Sequence, residues 1–297
     1  MKPLLLGMML TVSQGCASVT HAQELPQINW VLLDWQPVFL LHEGQTPGSP
    51  QELGSGMADK ALKLLAARLP QYRHQYRRGD SQRAFGEMAR GQPVCFFPSF
   101  QTEERRKFAY QLPAMMTVPH QLVIDQTQQA RFGTDTDGVS LASLRKQAAL
   151  RGYVEKGRSY TSALDVLIDA PGSAIRRIAQ PEQSHLLRLL DSGQIDYTIE
   201  YPYVVSFQTQ NGVFNHTLVT LPINELTTPL VWHISCTRNE WGKVVSRDLA
   251  QALRDLAGET DWRQISEQGL STATAQRYHA RFKAFYDALK LNGNTPP

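Results

Sequence analysis

The sequence predicts an α/β protein built as two lobes joined by a two-strand hinge. Three observations predict it. Strand-like and helix-like segments alternate along the 297 residues, the pattern of parallel sheets covered by helices. The length behind the N-terminal segment exceeds what one hydrophobic core usually serves. The strand at 118–124 and the return strand at 231–235 bracket a complete second set of alternating elements, and only helices follow the return.

The elements follow in chain order. Residues 28–33 form an apolar run suited to a strand covered on both faces. Gly54 and Gly56 interrupt the chain before a helix from Met57, in which Ala58, Ala61, Leu62, Leu65 and Leu69 recur at helical spacing until Pro70. A strand near 72–76, a helix opened by Asp80 or Ser81 and closed by Gly91, and an apolar strand over 94–97 lead into a helix at Thr102. In the second unit Ser140 caps a helix through Leu144, a strand starts at Gly152, and the loop 157–161 opens another helix. A strand over 174–178, a helix over 182–190 and a strand over 195–199 complete it. Helices over 240–256, 262–267 and 272–289 end the fold, and the tail 292–297 carries no pattern. In sum, 24–118 and 237–291 make one lobe and 125–230 the other, with crossings at 119–124 and 231–236.

The N-terminus reads as an export signal over 1–22: Lys2, an apolar run over 4–12 too short to span a bilayer, and Ala22 before the expected cleavage. A lipid attachment at Cys16 is the alternative, disfavoured by Ser13 and Gln14 ahead of it. Without that segment Lys and Arg fall from 30 to 29 against 27 Asp and Glu, which argues against a polyanion surface and against nucleic acid as partner. The cluster Arg73, His74, Arg77 and Arg78 reads as a solvated strand or turn. Cys95 and Cys236 are the thiols left after cleavage. They are free to pair in an oxidising compartment, with no spacing that decides it. Zinc-ligand spacings are absent, and neither a metal nor a cofactor is expected.

One run carries chemistry: Thr102-Glu103-Glu104-Arg105-Arg106, followed by Phe108 and a segment ending at Pro113. The same residues also describe an ordinary helix start with a Thr cap. Read with Gly56-Met57-Ala58-Asp59, Gly157-Arg158-Ser159-Tyr160 and Gly193-Gln194-Ile195-Asp196 in this order, it resembles the type 3 (polar amino acid) extracellular solute-binding family. The resemblance implies the type II periplasmic-binding-protein fold, a periplasmic location, and capture of a small carboxylate-bearing ligand, amino-acid-like or aromatic, for an ABC-type permease. It implies a monomer that is not an enzyme. A sensor subunit for a membrane signalling protein, or a dehydratase-like enzyme on the same fold, are the alternatives.

By that resemblance Arg105 grips the ligand carboxylate with its planar fork, Ser99 and Thr102 flank it, and Ser159, Tyr160 and Thr161 offer a helix start from the opposite lobe. Trp35 and Phe39 stand at the mouth of the first strand. The chain departs from the family at the place of the carboxylate that receives a ligand ammonium, which holds Tyr201 with Glu200 one step earlier. Neighbouring strand positions face opposite sides, so Glu200 is not a simple replacement. For enzyme chemistry the sequence has no Gly-x-Ser-x-Gly, no HExxH and no P-loop. His120, His185 and His233 read as surface or capped core residues.

Overall fold

The computed structural model describes residues 25–292 apart from 43, 133–137, 180–183 and 227. The expected signal segment, Cys16 and the tail past Asn292 lie outside the described residues.

Two sheets with one ordering principle organise the chain. In the first, β1 (Gln27–Leu32) runs parallel to β2 (Arg73–Arg78) and β3 (Cys95–Ser99). β10 (Leu230–Thr237) lies antiparallel between β3 and β4 (Ala109–Thr117), giving the order β2-β1-β3-β10-β4. In the second, β5 (Gln121–Asp125) is antiparallel to β8 (Thr198–Glu200) and β9 (Leu218–Pro222). β6 (Tyr153–Glu155) runs parallel to β7 (Arg176–Ile178), and a parallel bridge from Gly152 to Tyr197 joins this pair to the start of β8. A side chain at Gly152 would meet the Tyr197 ring 2.1 Å away, so only glycine allows that join.

The chain passes between the sheets twice, over 118–120 from β4 to β5 and over 223–229 from β9 to β10. Helices α1 (Met57–Arg68), α8 (Glu240–Ala257), α9 (Thr260–Glu267) and α10 (Thr272–Asn292) bury Leu62, Leu65, Leu253, Trp262 and Tyr286 with Trp30, Phe97 and Trp232 of the first sheet. Helix α2 (Ser81–Ala89), capped by Asp80, closes the other face with Phe85 and Met88 against Phe96. In the register of β3 and β10, Cys95 stands opposite Cys236, and the two form a disulfide with Cα atoms 4.1 Å apart. This resolves the open pairing of the two thiols.

Three elements stand outside the sequence expectation. β4 contains Pro113, which a central strand would not tolerate. It lies at the sheet edge and pairs only with β10, the position in a sheet where proline is tolerated. α7 (Pro202–Asn211) starts with proline in its first turn and has no strong apolar stripe. β9 completes the second sheet. The expected helix at Thr102 is a single turn, α3 (Glu103–Arg106), with the Thr102 hydroxyl accepting from the Arg105 amide at 3.2 Å.

Candidate functional site

The loops that follow parallel strands β1, β3 and β8, and the loop that precedes α5 (Ser162–Ile168), supply the candidate residues. Ligands in sheets of this kind sit outside the carboxyl ends of strands. The indole of half-buried Trp35, just beyond β1, lies 6.4 Å from the rings of Tyr201 and Trp232, touching both sheets' elements at the crossings. From there a column of rings runs through the junction. Tyr203 stacks on Tyr201 at 5.1 Å, Tyr201 on His120 at 3.8 Å, and His120 meets Tyr160 at 5.2 Å. Trp232 closes the column edge-on against Tyr203 at 6.1 Å.

Beside this column sits a charged pair. Arg158 donates from Nη1 and Nη2 to the two oxygens of Glu200, both at 2.6 Å, and Glu200 Oε1 also accepts from the Tyr201 amide at 2.8 Å. The fork is bidentate and the Glu200 side chain is 7% exposed, so its carboxylate is held by partners within the chain. Arg158 Nη2 also lies 3.4 Å from His120 Nε2. Guanidinium only donates, so Nε2 accepts and the proton of the neutral ring sits on Nδ1. Burial, with the Arg158 charge beside it, holds His120 well below the usual imidazole range. Burial pushes the Tyr160 phenol up to about 12 and the Tyr201 phenol higher still, so both rings are neutral.

The expected site residues separate into two groups. Phe39 and Tyr160 are corrections. Phe39 is 1% exposed in the first core and Tyr160 is fully enclosed, with its hydroxyl accepting from the Glu155 amide at 2.9 Å, so neither ring offers a face to a ligand. Ser99 is buried, and its hydroxyl donates to the His233 carbonyl at 2.9 Å and lies 2.7 Å from the Ser235 hydroxyl. The Ser159 hydroxyl and the Tyr160 amide both donate to Asp165, at 2.5 and 3.1 Å, and Arg177 adds to the same carboxylate. The donors expected to meet a ligand at this loop therefore serve the loop itself. Thr161 holds φ 91°, a left-handed conformation costly for a β-branched residue, and its hydroxyl is buried without a partner.

Arg105, Trp35, Glu200 and Tyr201 form the second group. Arg105 lays its guanidinium on the Phe85 ring at 3.9 Å, donates from Nη1 to the Phe100 carbonyl at 2.7 Å, and makes no ion pair among the described residues. Phe100, at the end of β3, is 40% exposed, large for an aromatic ring and open to a partner. Arg158, His120, Tyr203 and Trp232 pack around this group, the last three as buried as Phe39 and Tyr160. Arg158 stands inside the Gly157-Arg158-Ser159 motif, yet nothing local points it at Glu200, 42 residues away.

Comparison with solved structures decides the fold. The chain aligns with the probable amino-acid ABC transporter extracellular-binding protein of Bacillus subtilis at TM-score 0.61 and 16% identity, over 82% of this chain and 97% of that one. The chain has the two-lobe fold of type II periplasmic binding proteins. An amino-acid ABC transporter substrate-binding protein of Streptococcus pneumoniae bound to L-arginine shares that fold at TM-score 0.54 and 14% identity, over 82% and 93% of the two chains. The GluR0 ligand-binding core in complex with L-glutamate shares it at TM-score 0.56 and 15% identity, over 84% and 100%. No family model and no curated protein matches the sequence. No helix among the described residues is long and apolar enough to cross a membrane, and none of their His, Cys, Asp and Glu side chains group as a metal site.

Proposed function

We propose that this protein is a periplasmic solute-binding protein that captures a small carboxylate-bearing ligand between its two lobes and delivers it to an ABC-type permease. The observation that carries the reading is the junction itself: two sheets of like order, joined by two connections, with Trp35 of one lobe in ring contact with Tyr201 of the other. The first lobe comprises the chain up to 117 and from 230 onward, and the second 121–222, with the hinge in the connections over 118–120 and 223–229 rather than at the expected 119–124 and 231–236, because β5 pairs within the second sheet and β10 within the first. Two short connections permit closure by small backbone changes, and a ligand touching both lobes stabilises the closed state. Transport is supported by the binding proteins of like fold, among them amino-acid ABC transporter binding proteins of Bacillus subtilis and Streptococcus pneumoniae.

Arg105 is the carboxylate partner in this reading, because its guanidinium is anchored by one hydrogen bond and a ring face while the rest of its fork is unspent. Arg105→Lys keeps the charge and removes the fork. Calorimetry with the molecule released from the purified protein should show a loss of about 1.5–3 kcal/mol in binding, the range of a charge-assisted hydrogen bond. Unchanged affinity would remove Arg105 from the site.

A further inference from the structure

We infer that the ligand of this cleft is an acid without an ammonium group: a carboxylate carrying an apolar or aromatic body. The inference rests on the binding function proposed above and narrows its ligand class. It follows from an inventory of charge at the junction. Glu200 gives both oxygens to Arg158 and one of them also to the Tyr201 amide. Glu155 lies 3.6 Å from the same guanidinium. Asp165 is shared among Ser159, Tyr160 and Arg177. Asp34, next to Trp35, faces Arg78 at 3.9 Å, and Glu103 pairs with Arg106. Glu104 stands in solvent on α3. Asp59, fully buried at the start of α1, spends one oxygen on the Leu40 and Gly56 amides and lies out of a ligand's reach. The carboxylates around Arg158 and Trp35 are thus paired or in solvent, and an ammonium brought between the lobes would lose its water without gaining an anion.

Aromatic faces are the other way to hold a cation. On Tyr160 and Tyr201 that place is taken, because the Arg158 guanidinium already lies 5.0 Å from the Tyr160 ring centre and 5.8 Å from that of Tyr201. A second cation at the same faces would be repelled by the first. The groups left over point the other way. Arg105 has unspent N–H groups, and the orphaned atoms of the ring column are the Tyr203 hydroxyl and His120 Nδ1, the latter a donor by the tautomer that Arg158 imposes. Donors without acceptors call for a ligand that brings acceptors, which a carboxylate does and an ammonium does not. The half-buried indole of Trp35 and the exposed ring of Phe100 supply the apolar wall.

Matched pairs of probes test this on the purified protein by calorimetry: L-phenylalanine against 3-phenylpropanoate, and L-glutamate against glutarate. The member without the amine should bind at least tenfold more tightly in any pair that binds. Mass spectrometry of the molecule released on denaturation should find an amine-free acid. An amine-bearing molecule, or tighter binding of the amino acid in a pair, overturns the inference and leaves the binding function standing. No released molecule together with no heat from either pair overturns the binding function, and the inference with it. Arg158→Met gives an internal control: it returns a free carboxylate to Glu200, so the preference for the amine-free member should shrink at least fivefold. Should that variant fail to fold, the wild-type pairs decide alone.

Discussion

The two lobes share a strand order and differ in what holds them. In the first, strands of five to nine residues carry Trp30, Phe97 and Trp232 into a core sealed by helices of up to 21 residues. All five tryptophans belong to that half, and a disulfide crosses its centre. In the second, β6, β7 and β8 are three residues each, and buried or half-buried carboxylates pin the loops between them. Asp196 takes Arg151 and Arg131, Asp191 takes the amides of Asn215 and His216, and Glu225 takes the start of the helix over 141–144. The contrast teaches that one topology can be held by apolar area or by charged pins. The second way ties a lobe's stability to the ionisation of its carboxylates.

The largest expected effect strikes the first lobe. The Cys95–Cys236 bond separates its ends by 141 residues and encloses both crossings with the whole second sheet. Replacing both cysteines by serine should cost about 5 kcal/mol, as loop closure of that length implies. Urea unfolding followed by tryptophan fluorescence measures it, and a loss under about 1 kcal/mol would deny the bond a structural role. Next comes Arg158→Ala, which strands the Glu200 carboxylate inside the protein. We expect about 3 kcal/mol of destabilisation in thermal unfolding, largely recovered when Glu200→Gln is added. A double variant no better than the single one would show that the pair is not the unit.

The smaller effect is an acid lability that is strongest in the second lobe. Burial alone would raise the Asp196 carboxyl, but hydrogen bonds from Arg151 and Arg131 outweigh it and hold the group at about 2. A carboxyl depressed in the folded state stabilises fully above its unfolded value near 4. That contribution, about 2 kcal/mol here, is lost as pH falls from about 4 toward 2. Asp165, Asp191 and Glu225 are lowered in the same direction. Circular dichroism should therefore change on acidification before tryptophan fluorescence does. Coincident transitions would erase the distinction between the lobes.

Long elements were legible without coordinates: α1 follows from its apolar spacing behind Gly56, and the helix expected over 240–256 is α8. The alternation that marks two lobes was legible as well. β4 was hidden by Pro113, whose tolerance depends on an edge position that no local pattern reveals. α7 offered only its leading proline. At the site, the Thr102 cap and the motif around Arg105 could be read locally. The state of Glu200 could not, because it is set by Arg158 across 42 residues, and Phe39 and Tyr160 changed from expected ligand contacts to core because burial is a tertiary property. The disulfide needed the register that puts Cys236 opposite Cys95.

Closure of two lobes on a small acid is the central claim, and solution X-ray scattering tests it most directly. Protein stripped of its ligand by unfolding and refolding is compared with the same protein saturated with the molecule released from it. We expect the radius of gyration to fall on saturation as the lobes close about the connections over 118–120 and 223–229. An unchanged radius at saturation would contradict capture between moving lobes.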